Sequence, residues 1–322
     1  MTAGLEVALD HRVISLRHPK IHSIFTIQAA LVQAFRDFLR RGGFTEIHTP
    51  KIVSSGTEGG SELFPVQYFE RTAYLAQSPQ FYKQMMVGAG YERVFEVGSV
   101  FRAEEHNTSR HLNEYVSLDF EMGFIEDEHD LMDLETELIR HLSASVPKEC
   151  RPELELHQAT PPEVGEIPRI PLAEAQAILL GRYGKISPEG NLDPEGEKLV
   201  CEYVGGSALV FITRYPASKR PMYAMPCPEE PALTRSFDLL FRGLEITTGG
   251  QRIHNYQMLV ESIRRRSLDP ADFAPYLEVF KHGMPPHGGL AIGAERLTAR
   301  LLGLPNVREA SAFPRDRMRI TP

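Results

Sequence analysis

The chain predicts an α+β domain built on an antiparallel β-sheet, and the order and linkage of its segments carry that expectation. Strand-like runs fall at Thr72 to Ala76, Val94 to Phe101 and Tyr115 to Phe124, and again at Ala208 to Arg214 and Phe237 to Thr247. Hairpin-like links join neighbouring runs, where a doubly wound sheet would need a crossover helix each time. With 322 residues, 42% of them hydrophobic, the chain can bury a large core as one big domain or two small ones.

From Ile24 to Leu39, the residues Ile24, Ile27, Leu31, Ala34, Phe35 and Phe38 recur every three or four positions, the spacing of a helix with one buried face, and Gly42 and Gly43 end it. GFTEIHTPKIV then reads as extended, with Pro50 suited to an edge or an interface. The runs Val94 to Phe101 and Tyr115 to Phe124 flank FRAEEHNTSRH, residues 101–111, which becomes a loop between antiparallel strands. Leu131, Leu134, Leu138 and Leu142 mark a second amphipathic helix. Proline, glutamate and turn residues between Pro147 and Gly206 suggest a surface insertion with small helices at Ala173 to Leu180 and Glu195 to Val204. Helices around Tyr256 to Arg265 and Ala294 to Leu302 complete the pattern; residues 1–10 read as a tail, and there is no internal repeat.

Composition removes several classes of function. The net charge of −8 gives no general attraction for DNA, other phosphate backbones or anionic membranes, so any polyanion needs a local cluster. No run approaches the ~18 apolar residues of a membrane span, and MTAGLEVALDHR lacks a leader's apolar core, so a soluble, cytoplasmic protein is expected. Cys150, Cys201 and Cys227 form no CxxC pair and read as packing residues. A GxxxxGK[ST] loop is absent and HNTSRH is not HExxH, so a nucleotide would have to be held by side chains.

The 101–111 loop has such side chains. Arg102 offers a planar fork to a phosphate oxygen, Glu104 can accept from an amino group, Arg110 and His111 add positive charge, and Tyr115 supplies a stacking face. A solvated hairpin of salt bridges would use the same residues. In SFDLLFRGLEITTGGQRIH, the charged Asp238, Glu245 and Arg252 interrupt what should be buried strand, where an unpaired charge is costly. Asp238 and Glu245 are seven apart, so a joint metal role requires a bulge or bend; internal ion pairs are the other reading. Arg296 falls in the first turn of the last helix, where a cation opposes the helix dipole unless it serves a ligand or a neighbouring carboxylate.

GFTEIHTPKI, FRAEEHNTSRH and GLAIGAER, in this order, resemble the three signature motifs of class II aminoacyl-tRNA synthetases. GTEGGSELF, LAQSPQFYKQ, RHLNEY, LEITTGGQRIH and NVREASAFPRD extend the likeness to archaeal-type aspartyl-tRNA synthetases, from about Leu9 to the C-terminus. The resemblance implies the class II sheet with flanking helices, across residues 11–322. It also implies roles for matched positions. Arg102 would hold the α-phosphate and the amino-acid carboxylate, Glu104 the adenine amino group, and His111 the terminal phosphate. Arg296 would cover the adenine face opposite Tyr115 and reach the γ-phosphate. Asp238 and Glu245 would carry Mg²⁺ with the phosphates of ATP. Glu58, Ser78, Gln80 and Asp119 would surround the ammonium of L-aspartate, and Lys83 and Arg252 would read its side-chain carboxylate. Pro50 would lie near the two-fold of a homodimer.

The family's N-terminal OB-fold anticodon domain has no counterpart in the matched stretch, and Ala291 stands where the family pattern usually has glycine. The resemblance therefore leaves open the acceptor of an aspartyl adenylate. Ammonia is favoured, giving asparagine as in truncated asparagine synthetases related to this family. The alternatives are transfer to a tRNA acceptor end, and a non-catalytic paralogue that binds aspartate or ATP.

Overall fold

The computed structural model describes residues 4–57, 62–105, 108–206 and 208–321. Its strands are β1 (Thr45–Glu46), β2 (Ile52–Val53), β3 (Pro65–Tyr68), β4 (Arg71–Leu75), β5 (Arg93–Phe101), β6 (Glu114–Gly123), β7 (Arg169–Pro171), β8 (Leu209–Thr213), β9 (Ser236–Phe241), β10 (Leu244–Arg252) and β11 (His287–Gly293). The helices are α1 (Leu5–Asp10), α2 (Arg12–Ser15), α3 (Pro19–Arg41), α4 (Gln80–Met86), α5 (Glu128–Glu149), α6 (Arg151–His157), α7 (Leu172–Tyr183), α8 (Pro194–Val204), α9 (Tyr256–Arg265), α10 (Ala274–Lys281) and α11 (Ala294–Leu302).

An eight-stranded sheet runs in the order β1-β5-β6-β11-β10-β9-β8-β7. All its inner pairs are antiparallel, and only the short edge strands β1 and β7 pair in parallel. Side chains alternate across it, as the period of a strand requires. Leu118, Phe120, Leu290, Ile292, Phe237 and Leu239 join the core formed with Ile27, Leu31, Phe35, Leu131 and Leu138 of α3 and α5. The opposite face carries Tyr115, Asp119 and Glu121 of β6, and it becomes the floor of the site.

Helix α3 outruns its expected limits, because Pro19 sits at a first-turn position that tolerates a missing N–H and His18 caps Lys20 N–H at 3.3 Å. GFTEIHTPKIV splits at Pro50 into β1, which joins the large sheet, and β2, which joins the small sheet β2-β4-β3. Glu96 of β5 fixes that bend by accepting from Thr49 N–H at 3.0 Å, Thr49 Oγ1 at 2.7 Å and Lys51 Nζ at 2.9 Å.

Three expectations differ from the structure. Phe237 to Thr247 is two strands rather than one. The chain reverses at Arg242 and Gly243, whose φ values of +47° and +78° suit a tight two-residue hairpin. The stretch 147–206 adds β7 to the sheet and covers its outer strands, burying Leu172, Leu179, Val200 and Cys201 against Val210 and Ile212. Its polarity hid these contacts because α7 and α8 each bury only one stripe. The first ten residues also contain α1, with Leu9 buried, and Arg12 donates to the carbonyls of Glu309, Ser311 and Ala312 near the C-terminus.

Candidate active site

Two cavities lie over the middle of the sheet. The larger, about 990 Å³, is lined by Ser78, Gln80, Asp119, Arg220, Glu245 and Arg252 among others. The smaller, about 230 Å³, is lined by Arg102, Glu104, Arg110, His111, Tyr115, Glu245 and Arg296, together with Ala291. Arg102, Glu245 and Ala291 border both, so the two compartments adjoin.

The floor of the larger cavity comes from residues on one face of adjacent strands. Asp119 pairs across the ladder with Ala291, and Glu121 with Gly289. Glycine is required at 289, since a Cβ would stand 2.1 Å from the Phe120 carbonyl oxygen and 2.3 Å from Glu121 Oε2. Arg252, at the end of β10, donates through Nε to Glu121 Oε1 at 3.0 Å and through Nη2 to the Gly289 carbonyl at 2.9 Å. Gln80 bridges the pair, donating to Glu121 Oε2 at 3.4 Å while accepting from Arg252 at 3.4 Å. Burial alone would raise the Glu121 carboxyl, but the charges of Arg252 and Lys83 outweigh it and hold the group below its ordinary value. Ser78 sits beside Thr57, their hydroxyl oxygens 3.1 Å apart.

Lys83 is fully buried and does not line the cavity. Its ammonium is committed to Asp119 Oδ1 at 2.9 Å and to the Leu290 and Phe120 carbonyls at 3.2 and 3.3 Å, with Glu121 Oε2 3.4 Å away. Its field reaches the cavity through the carboxylates it orders, whereas Arg252 borders the space directly. Glu58 lies outside the described residues. Behind the floor, Tyr276 donates to Gln84 Oε1 at 2.9 Å, and Gln84 Nε2 meets His287 Nε2 at 2.9 Å. His287 Nδ1 is 2.9 Å from the Pro285 carbonyl, which assigns it the proton and leaves Nε2 as acceptor. Burial pushes His287 down to about 4, so the ring is neutral and the chain of bonds is locked.

The smaller cavity gathers the loop residues. Arg102 lies 3.9 Å from Glu104 and 5.9 Å from the centre of the Tyr115 ring, and His111 Nδ1 is 2.7 Å from Thr108 Oγ1. Arg296 has the carboxylate its position called for, donating to Glu245 Oε1 at 3.3 Å and to the Glu245 carbonyl at 3.1 Å. Arg110 is paired with Glu197 of α8.

Asp238 and Glu245 lie on the same face of the sheet for two reasons, although Glu245 borders both cavities and the buried Asp238 borders neither. The hairpin folds β9 against β10, opposing Asp238 to Thr248, and a bulge between Glu245 and Thr247 shifts the side-chain phase. Thr248 then donates to Glu245 Oε1 at 3.2 Å. Burial and the negative charge of Asp238 push the Glu245 carboxyl up, against the pull of Arg296 and Arg220. One Asp238 oxygen accepts from Arg220 at 2.7 Å; the other is buried and makes no hydrogen bond of ordinary geometry, although Tyr215 feels the same carboxylate. A divalent cation with hard oxygen ligands would draw on these two carboxylates, Asp238 being already paired with Arg220 and Glu245 with Arg296. Among the described residues no cluster of three or more His, Cys, Asp or Glu completes such a site, so the remaining ligands would come from a phosphate.

Sequence reasoning missed three contributors. Glu121 had a signal, since it stands two residues from Asp119 and so on the same strand face. Arg220 and Glu197 come from segments with no local chemical pattern, and only the folded chain brings them here.

An antiparallel sheet beneath a cation-lined cavity, with a second compartment built around a buried arginine and carboxylates, is the class II synthetase catalytic fold. The chain belongs to the family described as tRNA synthetases class II (D, K and N), whose model matches residues 4–317. It is thereby an enzyme of the ATP-dependent, AMP-forming ligase kind. Aspartate--tRNA(Asp/Asn) ligase of Thermus thermophilus is 57% identical over 325 residues, 99% of this chain and 76% of that one. The corresponding ligase of Deinococcus radiodurans is 56% identical over 326 residues, 98% of this chain and 75% of that one. Asparaginyl-tRNA synthetase from Pyrococcus horikoshii, solved with asparaginyl-adenylate, superposes with a TM-score of 0.91 at 32% identity, covering 99% of this chain and 74% of that one.

Proposed function

We propose that the protein activates L-aspartate with ATP and transfers the aspartyl group to a tRNA. The observation that carries the amino-acid assignment is Arg252, which borders the larger cavity with its guanidinium held in place by Glu121, Gln80 and the Gly289 carbonyl. A planar guanidinium at the border of the cavity suits a carboxylate better than an amide. Asp119, Gln80 and Ser78 supply the acceptors for the ammonium group, and Lys83 orders Asp119 from behind.

In the first step an aspartate α-carboxylate oxygen attacks the α-phosphorus of ATP. The new P–O bond forms as the bond to the β-phosphate breaks, giving aspartyl adenylate and pyrophosphate. No general base is needed, since the nucleophile is already an anion. Arg102, at the junction of the two compartments, neutralises the α-phosphoryl oxygens, while His111 and Arg296 face the leaving pyrophosphate. Mg²⁺ bound at Asp238 and Glu245 would add charge neutralisation of the phosphates. Tyr115 and Arg296 bracket the adenine, and Glu104 accepts from its amino group. In the second step a ribose hydroxyl at the tRNA 3′ end attacks the mixed anhydride and AMP departs.

The tRNA acceptor is preferred over ammonia, the first choice from sequence, because the relatives that match nearly the whole chain are tRNA ligases. We also read the Pro50 segment as a homodimer contact, with Ile52 beside it half exposed, and place the reaction in the cytoplasm. Among the described residues no helix is long and apolar enough to cross a membrane. The test is product analysis after mixing the protein with labelled aspartate, Mg·ATP and ammonium, with and without total tRNA. Label in RNA is the expected outcome; labelled asparagine formed without tRNA would overturn the acceptor, and no AMP under any condition would overturn the activity.

A further inference from the structure

Arg110 lines the smaller cavity, yet its guanidinium is held from outside it. Its partner Glu197 stands in the first turn of α8, is only 8% exposed, and borders neither cavity. The same Oε2 atom accepts from the backbone N–H of Glu245 at 2.9 Å. Glu245 in turn holds Arg296 through its carbonyl and its side chain. One carboxylate from the 147–206 stretch therefore joins the loop cation on one wall to the strand that anchors the cation on the other.

We propose that Glu197 is a positioning residue for the triphosphate, setting from behind the cavity the distance between Arg110 and the Glu245–Arg296 pair. The inference rests on the ATP-dependent reading above and assigns Glu197 no contact with substrate. A long arginine side chain left free would have to be ordered when the nucleotide binds, and ordering it in advance spares the ligand that cost. Holding the Glu245 backbone with the same atom couples the two walls, so loss of Glu197 loosens both. A carboxylate that merely stabilised α8 would affect ATP and aspartate sites alike.

The experiment measures ATP dissociation constants by calorimetry and KM values for ATP and aspartate in aspartate-dependent pyrophosphate exchange. The proteins are the wild type, Glu197→Ala, Glu197→Gln, Arg110→Ala and the Arg110→Ala double variants. Expected for Glu197→Ala is an ATP dissociation constant and KM raised about tenfold with the aspartate KM within about twofold of wild type. Glu197→Gln, which keeps an acceptor for both partners, recovers most of the loss. Arg110→Ala combined with either Glu197 variant is no worse than Arg110→Ala alone in the Arg110-dependent part of the loss. Unchanged ATP affinity in a folded Glu197→Ala protein overturns the proposal, as do losses that multiply in the double variants or that fall equally on aspartate. Should Glu197→Ala not fold, Glu197→Asp, whose carboxylate is one methylene too short to reach both partners, takes its place in the cycle with the same expected and overturning outcomes. Wild type that binds ATP but shows no exchange overturns the catalytic reading alone, with the clamp still judged on ATP affinity; wild type that does neither overturns both.

Discussion

Glu135 of α5 is completely buried behind the sheet, and its carboxyl oxygens make no hydrogen bond of ordinary geometry. Burial pushes it up to about 8, with Asp238 adding to the rise and the Thr247 hydroxyl of β10 opposing it. In the unfolded chain the group releases its proton near 4.5, while in the folded protein it holds it to about 8. Between those values the folded state binds more protons, so stability is full at the acid end, falls as pH rises, and levels off above about 8. Replacing Glu135 by glutamine keeps the shape of the protonated acid and removes the titration. At pH 7 the unfolded wild type gains about 3 kcal/mol from ionising this group, at ~1.4 kcal/mol per pH unit above its ordinary value, and the variant does not. The variant should therefore be more stable at pH 7 by up to about 3 kcal/mol, or roughly 4 °C in Tm for a chain of this size. Near pH 4.5 the two proteins should differ little. The assay is urea unfolding of both proteins from pH 4.5 to 8.5, read as the difference between the two curves. Parallel curves would refute the reasoning, because they would mean that Glu135 ionises in the folded state as easily as in water.

Three further outcomes follow from the site. Arg252→Gln should raise the aspartate KM roughly 10- to 100-fold, the loss of a charged hydrogen-bonding partner, while the ATP KM changes little; equal effects on both in exchange kinetics would contradict the carboxylate-reading role. Gly289→Ala should cost roughly 1–3 kcal/mol in urea unfolding and weaken aspartate binding, because a Cβ there meets the Phe120 carbonyl and the Glu121 carboxylate; a silent substitution would contradict the close approach of β11 and β6. Lys83→Met should cost about 3–5 kcal/mol at pH 7 by leaving Asp119 and Glu121 short of a buried counter-charge. That deficit should shrink on acidification, as the Glu121 carboxyl, held below its ordinary value by Arg252 and Lys83, takes up its proton and needs no partner; a pH-independent deficit would point to lost packing instead.

Much of the site was legible because strand periodicity is local. Tyr115 and Asp119 fell on the expected strand, and Arg102, Glu104, Arg110 and His111 on the expected loop, since alternation and turn residues mark these without knowledge of the fold. The carboxylate pair Asp238 and Glu245 was legible only as a problem. Its odd spacing demanded a bend, and the bend lies at Arg242, a residue type that rarely adopts positive φ and so gives little warning of a hairpin. Glu197, Arg220 and the three-residue β7 were illegible for a different reason: each acquires its meaning from residues distant in the chain. Lys83 shows the remaining limit, because sequence matching assigns a residue to a site without saying whether it lines the cavity or orders the groups that do.

The pairing of β6 with β11 also sets an order of assembly. β6, which carries Asp119 and Glu121, ends at Gly123, and β11 begins only at His287. During synthesis at about 5–20 residues per second, the inner edge of β6 waits on the order of 10 s for the strand that covers it. For that interval a nascent chain exposes an unpaired edge flanked by Leu118 and Phe120, with the acids Asp119 and Glu121 pointing the other way. Those two acids then act as the edge's protection against neighbouring chains, the part charged residues commonly play on exposed strands, before Asp119 comes to line the cavity and Glu121 to hold Arg252 beneath it.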